Sequence, residues 1–148
     1  MNIKRYLLSV LAVFIVYEVL SYVINSQLLT DCYKELAPVW RKNMMHFMWL
    51  MYLVDLLFSL FFVLIYTRWS KSFTIGSGIL FGLLVGIMMN TTNMINQWIV
   101  YPITNHLMVL WVFFGLIQFL ICGMVMGKIY KPKRVKISNV FEIELEYD

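Results

Sequence analysis

Four apolar runs, about residues 6–29, 44–66, 76–100 and 107–127, constrain this chain more than any other feature. Each exceeds the ~20 residues with which a helix crosses a ~30 Å hydrocarbon layer. Inside such a layer every backbone N–H and C=O must find its partner within the segment, so each run is expected to be a helix. With 61% hydrophobic and only 14% charged residues, the chain has too few charges to coat a water-soluble domain of its 148 residues. The expected fold class is an all-α membrane protein: an antiparallel four-transmembrane-helix bundle over residues 1–130, with a short cytoplasmic tail over 131–148.

The basic residues orient this expected bundle. Lys4 and Arg5 precede the first run, Arg68 and Lys71 lie between the second and third, and Lys128, Lys131, Lys133, Arg134 and Lys136 follow or close the fourth. Nine of the twelve basic residues thus fall on one side. Only Lys34, Arg41 and Lys42 fall on the other. Positive loops stay in the cytoplasm, which places both termini of the expected multi-pass protein inside. The first run, interrupted by Glu18 and followed by the poor cleavage stretch Asn25-Ser26-Gln27, reads as a retained signal anchor. The basic excess is an insertion signal and a contact for lipid headgroups. No separate basic domain exists to bind nucleic acid.

Each run carries a polar residue near its middle: Glu18, Asp55, Asn90 and Gln118. Such groups in a bilayer need a partner, a ligand or a cavity. Glu18, Tyr22 and Asn25 share a face at helical spacing, as do Tyr52 and Asp55, and Asn90 and Asn93. Most of these lie on the outer side of the middle. The pattern predicts an outward-facing cavity floored by Glu18 and Asp55, with Asn90, Asn93 and Gln118 as hydrogen-bond partners. Two carboxyl groups brought together there would share a proton or a cation. The competing expectation is that the acids bond Asn90 and Gln118 and only lock the bundle.

Gly78, Gly82 and Gly86 recur at spacing four, and Gly123 and Gly127 form a second pair. Glycines on one helix face let another backbone approach closely, in the manner of a glycine zipper, whether in the same chain or in a second copy. At the start of the second run, Met44, His46, Met48 and Met51 offer thioether and imidazole groups suited to copper. Met is also a flexible core filler. His106 starts the fourth run, and with His46 it could ligate a metal or haem. No cofactor is demanded by the pattern. Cys32 and Cys122 lie at opposite expected depths, which argues against a disulfide. Phosphate loops, zinc-protease helices and serine elbows are all missing, so no enzyme activity is expected.

In the tail, Phe141, Ile143, Leu145 and Tyr147 alternate with Glu142, Glu144, Glu146 and Asp148. Period two is the mark of a strand, which as one arm of a β-hairpin would pair with a cytoplasmic partner.

The run Phe61-Phe62-Val63-Leu64-Ile65-Tyr66, the glycine series, and Trp111-Val112-Phe113-Phe114-Gly115 followed by Gly123 and Tyr130 resemble small four-helix bacterial inner-membrane proteins of uncharacterised activity. The resemblance covers about the first 130 residues and implies an inner-membrane location. Met-x-x-x-Met with a later Gly-x-x-x-Gly is also similar to copper-uptake channels, but helix count and motif spacing both differ.

Three functions are expected, in order. The first is movement or sensing of a proton, cation or small polar solute. The second is a non-catalytic accessory or assembly subunit of a larger membrane complex. The third is metal handling at the Met-rich start of the second run. The expected partners are the lipid bilayer, further copies of the chain in a homo-oligomer or other membrane subunits, and a cytoplasmic protein at the tail.

Overall fold

A computed structural model describes residues 2–130. The expected hairpin after residue 130 lies outside them. Within the described residues the fold is all-α, without a strand. Helix α1 spans Ile3–Val23 and continues as a π-helical turn, Ile24–Leu28. A short α2 (Thr30–Glu35) and two 3₁₀ turns, Ala37–Val39 and Met44–Phe47, lead into α3 (Met48–Trp69). Helix α4 (Ile75–Gly86), a second π-helical turn (Ile87–Thr91) and α5 (Thr92–Val100) form one continuous rod. Helix α6 spans Asn105–Ile129. Four rods result, Ile3–Leu28, Met44–Trp69, Ile75–Val100 and Asn105–Ile129, each long and apolar enough to cross a membrane.

Local chemistry sets their ends. Thr74 and Ser77 form a reciprocal capping box at the start of α4, with bonds of 3.2 and 3.1 Å. Asn2 and Thr104 accept from the backbone amides of Arg5 and Leu107 and so start α1 and α6. Tyr101 precedes Pro102 and is forced into extended backbone, φ −110° and ψ 149°, which ends α5.

Helix α6 is the centre of the molecule, lying against both α4 and α1. Its contact with α4 is backbone on backbone. A Cβ added to Gly78 or Gly82 would collide with the carbonyl oxygen of Gly123 or Phe119, and one added to Gly127 with that of Thr74. A Cβ on Gly86 would press on the Phe119 side chain at 2.9 Å. The glycines of the third and fourth runs thus meet each other within one chain.

Two apolar clusters follow. One joins α1, α3, α4 and α6 through Val10, Val13, Phe62, Val63, Tyr66, Phe81, Phe119, Cys122 and Met126. It fills the end nearest the start of α1 and the 70–74 turn, here termed the terminal end. The other joins Ile24, Leu29, Leu36, Ile103 and Leu107 beneath the two connectors, at the connector end. It includes no residue of α3. All the buried residues of α3, Ser59, Phe62, Val63 and Tyr66, belong to its terminal half. In the other half, Leu50 to Val54 each keep 42–54% of their surface exposed. Five consecutive residues go more than once round a helix of 3.6 residues per turn, so this stretch is exposed all round, and in this half only Met48, Asp55 and Phe58 are half-buried.

The glycine contact yields a stability test. Gly82→Ala should cost about 1–3 kcal/mol, because backbone cannot yield as a side chain tip can. Gly76→Ala, where a Cβ meets only Thr74 Oγ1 at 4.0 Å, should be neutral or slightly stabilising. Unfolding of both variants in mixed detergent micelles, monitored by circular dichroism, measures the difference.

Candidate functional site

The four mid-run polar residues do not form a single layer of mutual bonds. Gln118 is buried on α6, and its Nε2 donates to the Tyr17 carbonyl at 2.9 Å and to Ser21 Oγ at 2.7 Å, both on α1. Asn90 lies in the π turn and donates to the carbonyls of Trp111 and Val112 on α6, at 3.3 and 3.1 Å. Its amide occupies the space where a Cβ of Gly115 would be. Each amide therefore pins one rod to α6.

The acids are left to each other. Glu18 on α1 and Asp55 on α3 are neighbours, each within reach of the other's charge or hydrogen bonding. Glu18 Oε1 is buried and has no hydrogen-bond partner among the described residues. Asp55 also borders a hollow of about 360 Å³ lined by Phe47, Leu50, Met51 and Val54. All of these wall residues belong to α3 or the turn before it, so the hollow has only one side.

The remaining residues of the expected cavity point elsewhere. Tyr22 and Tyr52 are exposed. Asn93 is exposed and folds back onto the Met89 carbonyl of its own rod at 2.7 Å. A π-helical turn adds a residue to the helix repeat, so the turn at Ile87–Thr91 shifts Asn93 off the face that carries the glycines. Met44 and Met51 are exposed, and Met48 is half-buried. Because Met44–Phe47 is 3₁₀ rather than α, Met44 and Met48 no longer sit one α-helical turn apart. His46 lies edge-on to Phe47, and His106 is exposed at the start of α6. Among the described residues no three His, Cys, Asp or Glu side chains gather in a metal-binding group. Cys32 and Cys122 are both free.

One centre had no counterpart in the sequence reading. The Tyr33 hydroxyl on α2 accepts from the Trp111 indole at 2.8 Å and donates to Asn25 Oδ1, and the Tyr33 carbonyl accepts from Trp40 at 3.2 Å. Both tryptophan rings pack on the Tyr33 ring. Burial pushes the Tyr33 hydroxyl above its ordinary pKa, and the bond from Trp111 opposes the rise. Neighbouring Asp31 is held below the usual carboxyl range by Lys34, 2.8 Å away. Through Trp111 this centre joins the first π turn, which holds Asn25, to the second, which holds Asn90. Contacts this far apart in sequence leave no local pattern. The one signal was an aromatic pair, Tyr33 and Trp40, within an otherwise polar connector.

Compared with protein-family models, curated proteins and solved structures, the chain finds no match.

The seat of Asn90 on Gly115 can be tested by a double-mutant cycle. Gly115→Ala should cost about 1–3 kcal/mol in the parent and much less in an Asn90→Ala background, since the added methyl then has room. Equal cost in both backgrounds, read from unfolding in mixed micelles, would separate the two residues energetically.

Proposed function

We propose that the chain is a multi-pass protein of a bacterial cytoplasmic membrane, an antiparallel four-helix bundle with both termini cytoplasmic, and that it serves as a non-catalytic subunit of a larger membrane assembly. The observation that carries this reading is the connector half of α3, where the five consecutive residues Leu50 to Val54 are all exposed. Elsewhere the rods engage one another by backbone contact, by amide bonds or by apolar side chains. The pairing of Gly78 with Gly123 and of Asn90 with Trp111 and Val112, later residues of one rod against earlier residues of the other, supports the antiparallel arrangement. The nine-to-three division of basic residues supports the orientation.

A second reading is favoured by the unpartnered Glu18 Oε1. In it the Glu18–Asp55 pair takes up a proton or cation, and the protein moves or senses that ion by itself.

Native mass spectrometry of the full chain, gently extracted from its own membrane, separates the two. The expected result is a reproducible mass that contains a second polypeptide. A monomer or homo-oligomer alone would instead favour the ion reading. Glu18→Gln combined with Asp55→Asn should then abolish ion movement in reconstituted vesicles while the helical content stays unchanged.

A further inference from the structure

The exposed half of α3 and the acid pair lie together, and their chemistry narrows the partner. At Asp55 the helix passes from its covered terminal half to its uncovered connector half. The Glu18–Asp55 pair therefore sits at the foot of the gap that the uncovered half leaves open. An ionised carboxyl group at mid-bilayer costs about 2.5–3.5 kcal/mol on insertion scales unless something compensates it. Among the described residues no cation stands at that level. Asn90 and Gln118 are committed to backbone and hydroxyl acceptors elsewhere. The basic side chains of its four rods lie only in end turns, at Lys4, Arg5, Arg68 and Lys128. For the same reason a second copy would bring two more carboxyl groups to mid-depth and no cation.

We infer that the connector half of α3 seats a transmembrane helix of a different polypeptide, and that this helix carries a Lys or Arg at the depth of Glu18 and Asp55. The inference rests on the assembly reading above and adds the partner's chemistry. An apolar helix with one cation fits both halves of the surface. Its apolar side chains would cover Leu50, Leu53 and Val54, and its cation would meet two carboxyl oxygens at the base. Arg suits a carboxyl pair best, because its planar fork offers several donors in fixed geometry. Burial of both charges together makes the contact selective, since a helix without the cation would leave the acids unpaired.

The test places a photo-crosslinking amino acid at Leu53 of the full chain, in its own membrane, with and without Glu18→Gln and Asp55→Asn. The expected result is an adduct to one polypeptide, in a span with a mid-depth Lys or Arg, that falls at least about ten-fold in the double variant. The same probe at Leu84, on the exposed side of α4, should not give that adduct. Helical content and yield of the double variant are read in parallel. If it does not fold, Asp55→Lys paired with an acid in place of the partner's cation should restore the adduct. A polypeptide adduct whose span lacks a basic residue, or one undiminished in a folded double variant, overturns the charge inference and leaves the assembly reading standing. Adducts only to lipid, or only to a second copy, overturn both.

Discussion

The close contact between α4 and α6 is the constraint on which the remaining structure depends. Bulky side chains would hold the two rods apart, whereas Gly78 and Gly82 against Gly123 and Gly127 let the backbones touch. With α4 this close, Phe119 lies over Gly86, and the rings of Phe81 and Phe119 meet Phe62 of α3 and Tyr17 of α1. The aromatic core of the terminal end is therefore a consequence of the glycine contact. Between helices in lipid apolar burial adds little driving force, so for rods long and apolar enough to cross a membrane shape complementarity of this kind is what would hold them.

Above the glycines the same pair of rods changes its means of attachment. From Asn90 upward the contact uses side-chain hydrogen bonds, from Asn90 to the Trp111 and Val112 carbonyls and from Trp98 to Asn105, in place of bare backbone. The π turn makes the change possible. It widens the helix locally, and a wide turn gives Asn90 the reach to two successive carbonyls of α6 across Gly115. The π turn closing α1 similarly leaves the Asn25 side-chain carbonyl free to take the Tyr33 hydroxyl. Both irregular turns thus present polar atoms to the Trp111 and Tyr33 centre, and the connector lies down over the bundle end.

The four rods were legible because long apolar runs leave no alternative to helix. They begin and end within a few residues of the expected limits, the largest shifts being three residues at each end of the pattern's extremes, Ile3 for 6 and Trp69 for 66. The glycine faces were legible as close-approach surfaces, though only coordinates could show that Gly78 meets Gly123 of its own chain. What the residues could not announce was the destination of each amide. Asn90 and Gln118 bind backbone carbonyls, which every segment offers at every position, so composition cannot choose among them. The same holds for Met44 and Asn93, whose expected faces assumed an unbroken α-helix. One 3₁₀ turn and one π turn were enough to rotate them away.

Glu18 and Asp55 stand apart from this economy of partners. Every other mid-run polar group is bonded to a neighbour whose position is already set by the glycines or by the Tyr33 centre. The acids instead bridge α1 to the one rod that nothing holds at its connector end. If a carboxyl pair alone fastened α3, that helix would be expected to close down over the pair and exclude lipid from it. It is fully buried only from Ser59 onward. The carboxyl groups sit where cover ends, with one oxygen buried and unanswered. A pair that leaves a buried oxygen unanswered at the point where cover ends contributes less to the packing of α3 than the aromatic contacts below it.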